Sequence, residues 1–178
     1  MTVSTPSDQP RSGSILHAGC GNDPLPDWLS HFREVRLDID PRCGPDVVAS
    51  MTDMGEIGSF DAAYCSHALE HLTPPDVDRA LAEFRRILKP GGALVVIVPD
   101  LEDVRPTEDV VYVSPVGPIT GLDMYYGLRA ALDEYPHMAH RSGFIAATLA
   151  KALGSAGFER TAAQRLPNYN LLGTGAAP

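Results

Sequence analysis

Short apolar runs alternate with polar, helix-compatible stretches along most of the chain. The runs predict five buried strands, at residues 14–18, 34–39, 46–49, 60–65 and 93–98. Apolar residues recur at the helical period over residues 74–88, which predicts an amphipathic helix. A shorter helix is expected over residues 24–33, with Asp23 as its cap. Strands that alternate with helices favour an α/β protein whose parallel sheet is covered on both faces.

The final part of the chain shows a different pattern. A periodic stretch predicts a helix over residues 141–156, which Gly157 ends. The runs 158–166 and 169–174 are separated by a turn and predict a closing antiparallel hairpin. Residues 101–140 look long and irregular, and connections of that length usually have a function.

Length, charge and cysteine content restrict the class of protein. The 178 residues suit one domain, placed at 13–178 behind a polar tail, residues 1–12, that we expect to be disordered. A net charge of −9 disfavours nucleic acid and anionic membranes as partners. The three cysteines lack CxxC spacing, and neither a signal peptide nor a membrane span is visible. We therefore expect a cytoplasmic protein without disulfides.

Four segments, in order, resemble motifs of class I S-adenosylmethionine-dependent methyltransferases of the type 11 kind. Residues 15–21 (ILHAGCG) resemble the first strand and its glycine-rich loop, and Asp40 follows at about the spacing of the family's second-strand acid. Residues 60–72 contain a strand and an LEH helix start, and residues 86–92 (RILKPGG) resemble an RxLKPGG segment. The resemblance implies a Rossmann-like doubly wound fold, a seven-stranded mostly parallel sheet and S-adenosylmethionine as cofactor.

The resemblance also implies which residues contact the cofactor. Asp40 would bind the ribose hydroxyls, Met51 and Thr52 would lie at the adenine, and Ser66 would lie near the sulfonium. The full set of implied cofactor-binding residues is His17, Ala18, Gly19, Cys20, Gly21, Ile39, Asp40, Met51, Thr52 and Ser66.

Several positions depart from the family pattern. His17 stands where the first motif usually has an acid, and Asp23 occupies the position of the third glycine. Ser50 replaces a frequent adenine-binding aspartate, and residues 41–45 leave almost no room for a helix between strands two and three. These departures leave open a protein that binds S-adenosylmethionine or S-adenosylhomocysteine without catalysis. A dinucleotide-dependent oxidoreductase is a weaker alternative, because the LKPGG segment and terminal hairpin argue against it.

The methyl acceptor is expected to be a small molecule covered by residues 101–140, and its reacting atom is not specified by the sequence. Where a base is required, His140 is the first candidate and His67 the second. Residues 67–71 also match the HxxEH pattern of inverted zinc proteases. No third ligand is evident in the sequence, and the pattern coincides with the LEH motif, so we predict no metal site.

Overall fold

One seven-stranded sheet forms the centre of the protein in the computed structural model, which describes residues 13–178. The strands of the protein are β1 (Ser14–Ala18), β2 (Arg33–Asp38), β3 (Val47–Val48), β4 (Phe60–Ser66), β5 (Leu88–Pro99), β6 (Val110–Ser114), β7 (Gly117–Thr120), β8 (Glu159–Leu166) and β9 (Asn170–Ala176). The sheet order is β3-β2-β1-β4-β5-β9-β8, in which the first five strands are parallel and β9 is antiparallel to both neighbours. The predicted mostly parallel sheet with a closing antiparallel hairpin is confirmed.

Successive residues of the central strands bury their side chains on opposite faces of the sheet, as the pleat requires. On one face, α1 (Pro74–Ile87) and α3 (Ala146–Ser155) supply Phe84 and Leu149 to a cluster that contains Leu16 of β1. On the other face, Ile15 and Tyr64 pack with Leu29 in a smaller cluster. Both faces are therefore covered, although the second cover contains only a short turn.

Two predicted helices differ from the structure. Residues 24–33 form a single 3₁₀ turn, Asp27–Leu29, and Asp23 does not cap it. Pro24 and Pro26 lack backbone N–H groups, which disfavours a longer helix here. Helix α3 begins at Ala146 instead of at residue 141, because the preceding residues hydrogen-bond to neighbouring segments.

Residues 101–140, hereafter the insertion, are more regular than the sequence suggested. They contain the β6–β7 hairpin and the helix α2 (Gly121–Tyr126), and a capping box between Thr120 and Asp123 begins that helix. Val104, Ile119 and Met124 form a separate small hydrophobic cluster. The expectation of an irregular connection is therefore wrong for residues 110–126, whereas residues 101–109 contain no helix or strand.

The predicted tail at residues 1–12 lies outside the described residues. Within the part that the structure describes, no helix is long and apolar enough to cross a membrane.

Candidate active site

The carboxyl ends of β1 and β4 border a cleft of about 280 Å³. Its lining residues are His17, Gly19, Cys20, Asp23, Pro24, Tyr64 and Ser66. The strand order reverses between β1 and β4, since β2 and β3 lie on one side and β5 on the other. Open α/β sheets bind their ligands at this kind of switch point.

The glycine-rich loop after β1 contains two glycines with positive φ, and they have different roles. A Cβ on Gly19 (φ +64°) would lie 2.5 Å from the Cβ of Ala68, so packing within the protein already requires glycine there. A Cβ on Gly21 (φ +48°) would meet no atom within 4 Å. Gly21 therefore borders open space.

Two side chains of β2 hold this loop. The Gly21 N–H donates to Asp38 Oδ2 at 2.8 Å, and the Asp40 N–H donates to Asp38 Oδ1 at 2.9 Å. Arg36 donates to the carbonyl of Gly21 at 2.7 Å and to that of Asp23 at 2.9 Å. The carboxylate thus fixes an amide of the loop, and the guanidinium fixes two of its carbonyls.

Asp40 lies two residues beyond the end of β2, and its carboxylate is paired with Arg42. The Arg42 Nε donates to Asp40 Oδ1 at 2.9 Å, and Nη2 donates to Oδ2 at 2.6 Å. These hydrogen bonds lower the pKa of Asp40 to about 2. The last residue of β2 is Asp38, which was not among the residues predicted to bind the cofactor. Spacing alone could have indicated it, because Asp38 also lies about 20 positions beyond Gly19.

Ile39, predicted to contact the cofactor, directly follows β2, and Met51 and Thr52, predicted at the adenine, follow β3. Ile39 is 62% exposed directly after Asp38, which is unusual for an isoleucine. Met51 lies against the glycine loop, since its Cε would be 3.4 Å from a Cβ at Gly19. The Thr52 and Ser50 hydroxyls lie 2.8 Å apart. Met51 thus lies beside Gly19, and Ile39 is open to solvent.

His17 is buried beneath the cleft and contacts Glu34. Its Nδ1 lies 2.7 Å from Glu34 Oε1, and its ring centroid lies 5.3 Å from that of Tyr64. Burial lowers the pKa of His17, although the Glu34 carboxylate opposes this effect. Glu34 of the neighbouring strand thus places a carboxylate next to the His17 imidazole.

The two predicted catalytic histidines lie around the same buried carboxylate, that of Glu70. His67 has a φ of +49°, and its half-exposed imidazole Nδ1 lies 3.4 Å from Glu70 Oε1. His140 comes from the end of the insertion, and its ring centroid lies 5.2 Å from that of His71. Burial lowers the pKa of His140, which favours the neutral imidazole. We call these four residues the His-Glu cluster.

The insertion also contributes tyrosines near this edge of the sheet. The Tyr112 ring lies 6.0 Å from that of Tyr169, and burial together with the Glu70 charge raises the pKa of Tyr112. The Tyr125 hydroxyl donates to the Val104 carbonyl at 2.9 Å, so this hydroxyl already makes a hydrogen bond within the insertion. Tyr126 remains exposed.

Comparison with known proteins agrees with this architecture. A family profile described as a methyltransferase domain matches residues 3–163. The probable methyltransferase ltbC of Aspergillus luteorubrus is 51% identical over 109 residues, which cover 45% of this chain and 38% of that protein. The matched part of the chain thus spans well under half of that relative's length.

Solved structures show the same fold at low sequence identity. The 1,6-didemethyltoxoflavin-N1-methyltransferase of Burkholderia thailandensis, with bound 1,6-didemethyltoxoflavin and S-adenosylhomocysteine, has a TM-score of 0.62 and 17% identity over 94% of this chain and 72% of its own. The N-methyltransferase NodS of Bradyrhizobium japonicum, in complex with S-adenosylhomocysteine, has a TM-score of 0.57 and 16% identity over 94% of this chain and 79% of its own. The chain belongs to the methyltransferase domain family and has the fold of S-adenosylmethionine-dependent methyltransferases.

Proposed function

We propose that this protein transfers a methyl group from S-adenosylmethionine to a small-molecule acceptor. The observation that carries the proposal is the glycine loop between β1 and the cleft. Asp38 and Arg36 hold this loop from β2, and open space remains in front of Gly21. Membership of the methyltransferase domain family supports the same conclusion.

The residues of the cleft fit the proposed cofactor. Both Asp38 oxygens accept a backbone hydrogen bond, and each retains a lone pair that suits a ribose hydroxyl. The exposed Ile39 offers apolar surface for a purine beyond that ribose. The remaining proposed contacts, toward the methionine end and the adenine, are His17, Ala18, Gly19, Cys20, Gly21, Met51, Thr52 and Ser66. Asp40 stays in the proposed site, although its pairing with Arg42 makes Asp38 the better ribose ligand.

The cofactor supplies an electrophilic methyl group, and the protein's task is to align an acceptor with it. His67 directly follows the cleft residue Ser66, and its imidazole is half-exposed. His140 comes from the end of the insertion and lies, like His67, beside the Glu70 carboxylate. We propose that these two imidazoles serve the acceptor, and that the insertion excludes water from it.

The net charge of the chain supports a small molecule, and not a nucleic acid, as the acceptor. A chain with a net charge of −9 repels nucleic acid, so we propose a small organic molecule without proposing which atom is methylated. A cytoplasmic location also stays a proposal, and it is compatible with the three free cysteines.

Turnover with isotope-labelled S-adenosylmethionine tests the proposal. The full chain is incubated with labelled cofactor and a panel of phenols, amines, thiols and N-heterocycles, and each product is identified by mass. We expect one acceptor class to gain a methyl group and S-adenosylhomocysteine to form in equal amount. Stoichiometric cofactor binding without transfer to any acceptor would support the alternative, a binding protein that lacks catalysis.

A further inference from the structure

Glu70 is buried, and one of its carboxylate oxygens has no partner among the residues that the structure describes. The residue is 1% exposed, and its Oε1 lies 3.4 Å from His67 Nδ1. Its Oε2 is the only buried side-chain polar atom without a hydrogen-bond partner within residues 13–178. Buried carboxylate oxygens are normally paired with a donor or a cation, because an unpaired one is costly.

Two imidazoles lie where a cation shared with this carboxylate would be. One ligand atom each from Glu70, His71 and His140 lie within 4.8 Å of one another. His71 follows Glu70 in the 3₁₀ turn Leu69–His71, whereas His140 comes from the end of the insertion. The cluster is therefore assembled by the tertiary structure.

Backbone carbonyls set the tautomer of both imidazoles. The His140 Nδ1–H donates to the Met124 carbonyl at 2.9 Å, and the His71 Nδ1–H makes a longer bond, 3.4 Å, to the Ala139 carbonyl. A carbonyl can only accept, so each ring carries its proton on Nδ1 and has a free lone pair on Nε2. Metal-ligating histidines are oriented in this same way by their second ring nitrogen.

The backbone holds the two parts of the cluster together. The Glu70 carbonyl accepts hydrogen bonds from Arg141 N–H at 2.7 Å and from Ser142 N–H at 3.1 Å. The Ser142 hydroxyl donates to the Leu69 carbonyl at 3.3 Å. The chain directly after His140 is thus hydrogen-bonded to the turn that carries Glu70 and His71.

We propose that Glu70, His71 and His140 bind one divalent transition-metal ion of the Zn²⁺ class. Two imidazole nitrogens and one carboxylate oxygen suit Zn²⁺, Co²⁺ or Fe²⁺, whereas Mg²⁺ and Ca²⁺ prefer oxygen ligands alone. The sequence predicted no metal because its third ligand was not evident. The structure brings His140, which lies 69 residues beyond His71, next to Glu70 and His71.

Metal binding would also change the role of His140. A coordinated Nε2 cannot accept a proton, so His140 would hold the ion and only His67 would remain as a base. Metal binding itself does not depend on the proposed methyl transfer. Only the interpretation of the ion as part of the acceptor site rests on that proposed function.

Titration of the metal-free full chain with Zn²⁺, followed by calorimetry, and with Co²⁺, followed by visible absorption, tests the proposal. We expect one ion per chain and a Co²⁺ spectrum with nitrogen and oxygen ligands. His140→Gln and Glu70→Gln should each weaken Zn²⁺ binding about tenfold or more, because each substitution removes one proposed metal ligand. His137→Ala is the matched control, because this exposed histidine lies three residues from His140 and outside the cluster.

The outcomes separate this proposal from the proposed function. No stoichiometric binding by the wild type would overturn the metal site, as would equal weakening by His137→Ala and His140→Gln. Thermal melts establish that each variant is folded, and His71→Gln replaces Glu70→Gln if the latter does not fold. Asp38→Ala, which alters the cofactor cleft, should keep the wild-type metal affinity. Failure to bind S-adenosylmethionine would therefore leave the metal result intact.

Discussion

The Asp38 carboxylate accepts a hydrogen bond from the Gly21 backbone N–H at 2.8 Å, across the gap between β2 and the loop after β1. This contact couples the acidic end of one strand to the glycine loop of its neighbour. The same carboxylate therefore shapes the loop, and under our proposal it also accepts the ribose hydroxyls.

Asp38→Ala should weaken S-adenosylmethionine binding by about tenfold or more, since hydrogen bonds to a charged group are lost and the loop is released. Asp40→Ala should weaken it less, because the Asp40 carboxylate is already paired with Arg42. Calorimetric titration of both variants measures the difference. A larger effect at Asp40 would restore the assignment made from the sequence and leave Asp38 with a structural role.

Gly21→Ala should reduce cofactor affinity strongly while the protein stays folded. The added methyl group meets no protein atom within 4 Å, so it would occupy the space in which the cofactor approaches the backbone. Gly91→Ala is the matched control. Gly91 also has a positive φ (+75°), and a Cβ added there would meet no atom within 4 Å. It lies near the start of β5, before the buried part of that strand.

Both glycine variants should lose a similar, small amount of stability from the strained backbone, about 1–2 kcal/mol. Only Gly21→Ala should lose affinity for the cofactor, as titration of the two folded proteins would reveal. Equal affinity in both would mean that the loop does not cradle the ligand. Gly19→Val is a poorer test, because its side chain would collide with Ala68 regardless of any cofactor.

His17 should make the protein sensitive to mild acid. Burial lowers the pKa of His17 below 6.5, despite the opposing Glu34 carboxylate, so the unfolded chain takes up a proton at a higher pH than the folded chain. Its contribution to stability is therefore complete above about pH 6.5 and is lost as the pH falls through the folded pKa. The charged and titratable groups around it are Asp23, Glu34, Arg36 and Tyr64.

Thermal melts between neutral and mildly acidic pH check this prediction. His17→Gln should show a shallower loss of melting temperature on acidification than the wild type. His31→Gln, at an exposed histidine, should follow the wild-type curve. If the melting temperature of His17→Gln fell as steeply on acidification as that of the wild type, other groups would cause the acid sensitivity.

Asp123→Asn should loosen the insertion without unfolding the sheet. The Asp123 carboxylate accepts hydrogen bonds from the backbone and hydroxyl of Thr120 and from Arg129, at 2.5–3.2 Å. Burial opposes its charge, but these bonds prevail and lower the pKa of Asp123 to about 2. Hydrogen exchange should accelerate over residues 104–131 and stay unchanged in β4.

Asp133→Asn, at an exposed position in the same segment, serves as the control and should leave exchange unaltered. The wild-type insertion should exchange faster than the central strands and become protected when cofactor and acceptor bind together. An insertion already as protected as β4 in the free protein would argue against an acceptor-covering role.

Local sequence pattern was sufficient for the elements whose signals are short-range. Strand β1 and helix α1 match their predicted limits to within one residue, because each is a continuous apolar or periodic segment. The pattern failed over residues 24–33, where two prolines outweigh the favourable composition. It failed again at residues 141–145, which make hydrogen bonds to distant segments that no local pattern reveals.

Only the part of the site that lies within sequence motifs could be predicted. The glycine loop was evident from its residues, whereas the choice between Asp38 and Asp40 depends on where β2 ends. The contact between Glu70 and His140 depends on how the insertion folds back over the sheet. Such contacts arise from tertiary packing, so a single sequence does not specify them.

Direct titration of the full chain with S-adenosylmethionine tests the central claim, that the cleft at the end of β1 holds this cofactor. We predict one molecule bound per chain, displaced by S-adenosylhomocysteine, unaffected by NAD and lost in Gly21→Ala but not in Gly91→Ala. Absence of binding by the folded wild type, or equal binding by both glycine variants, would contradict the account.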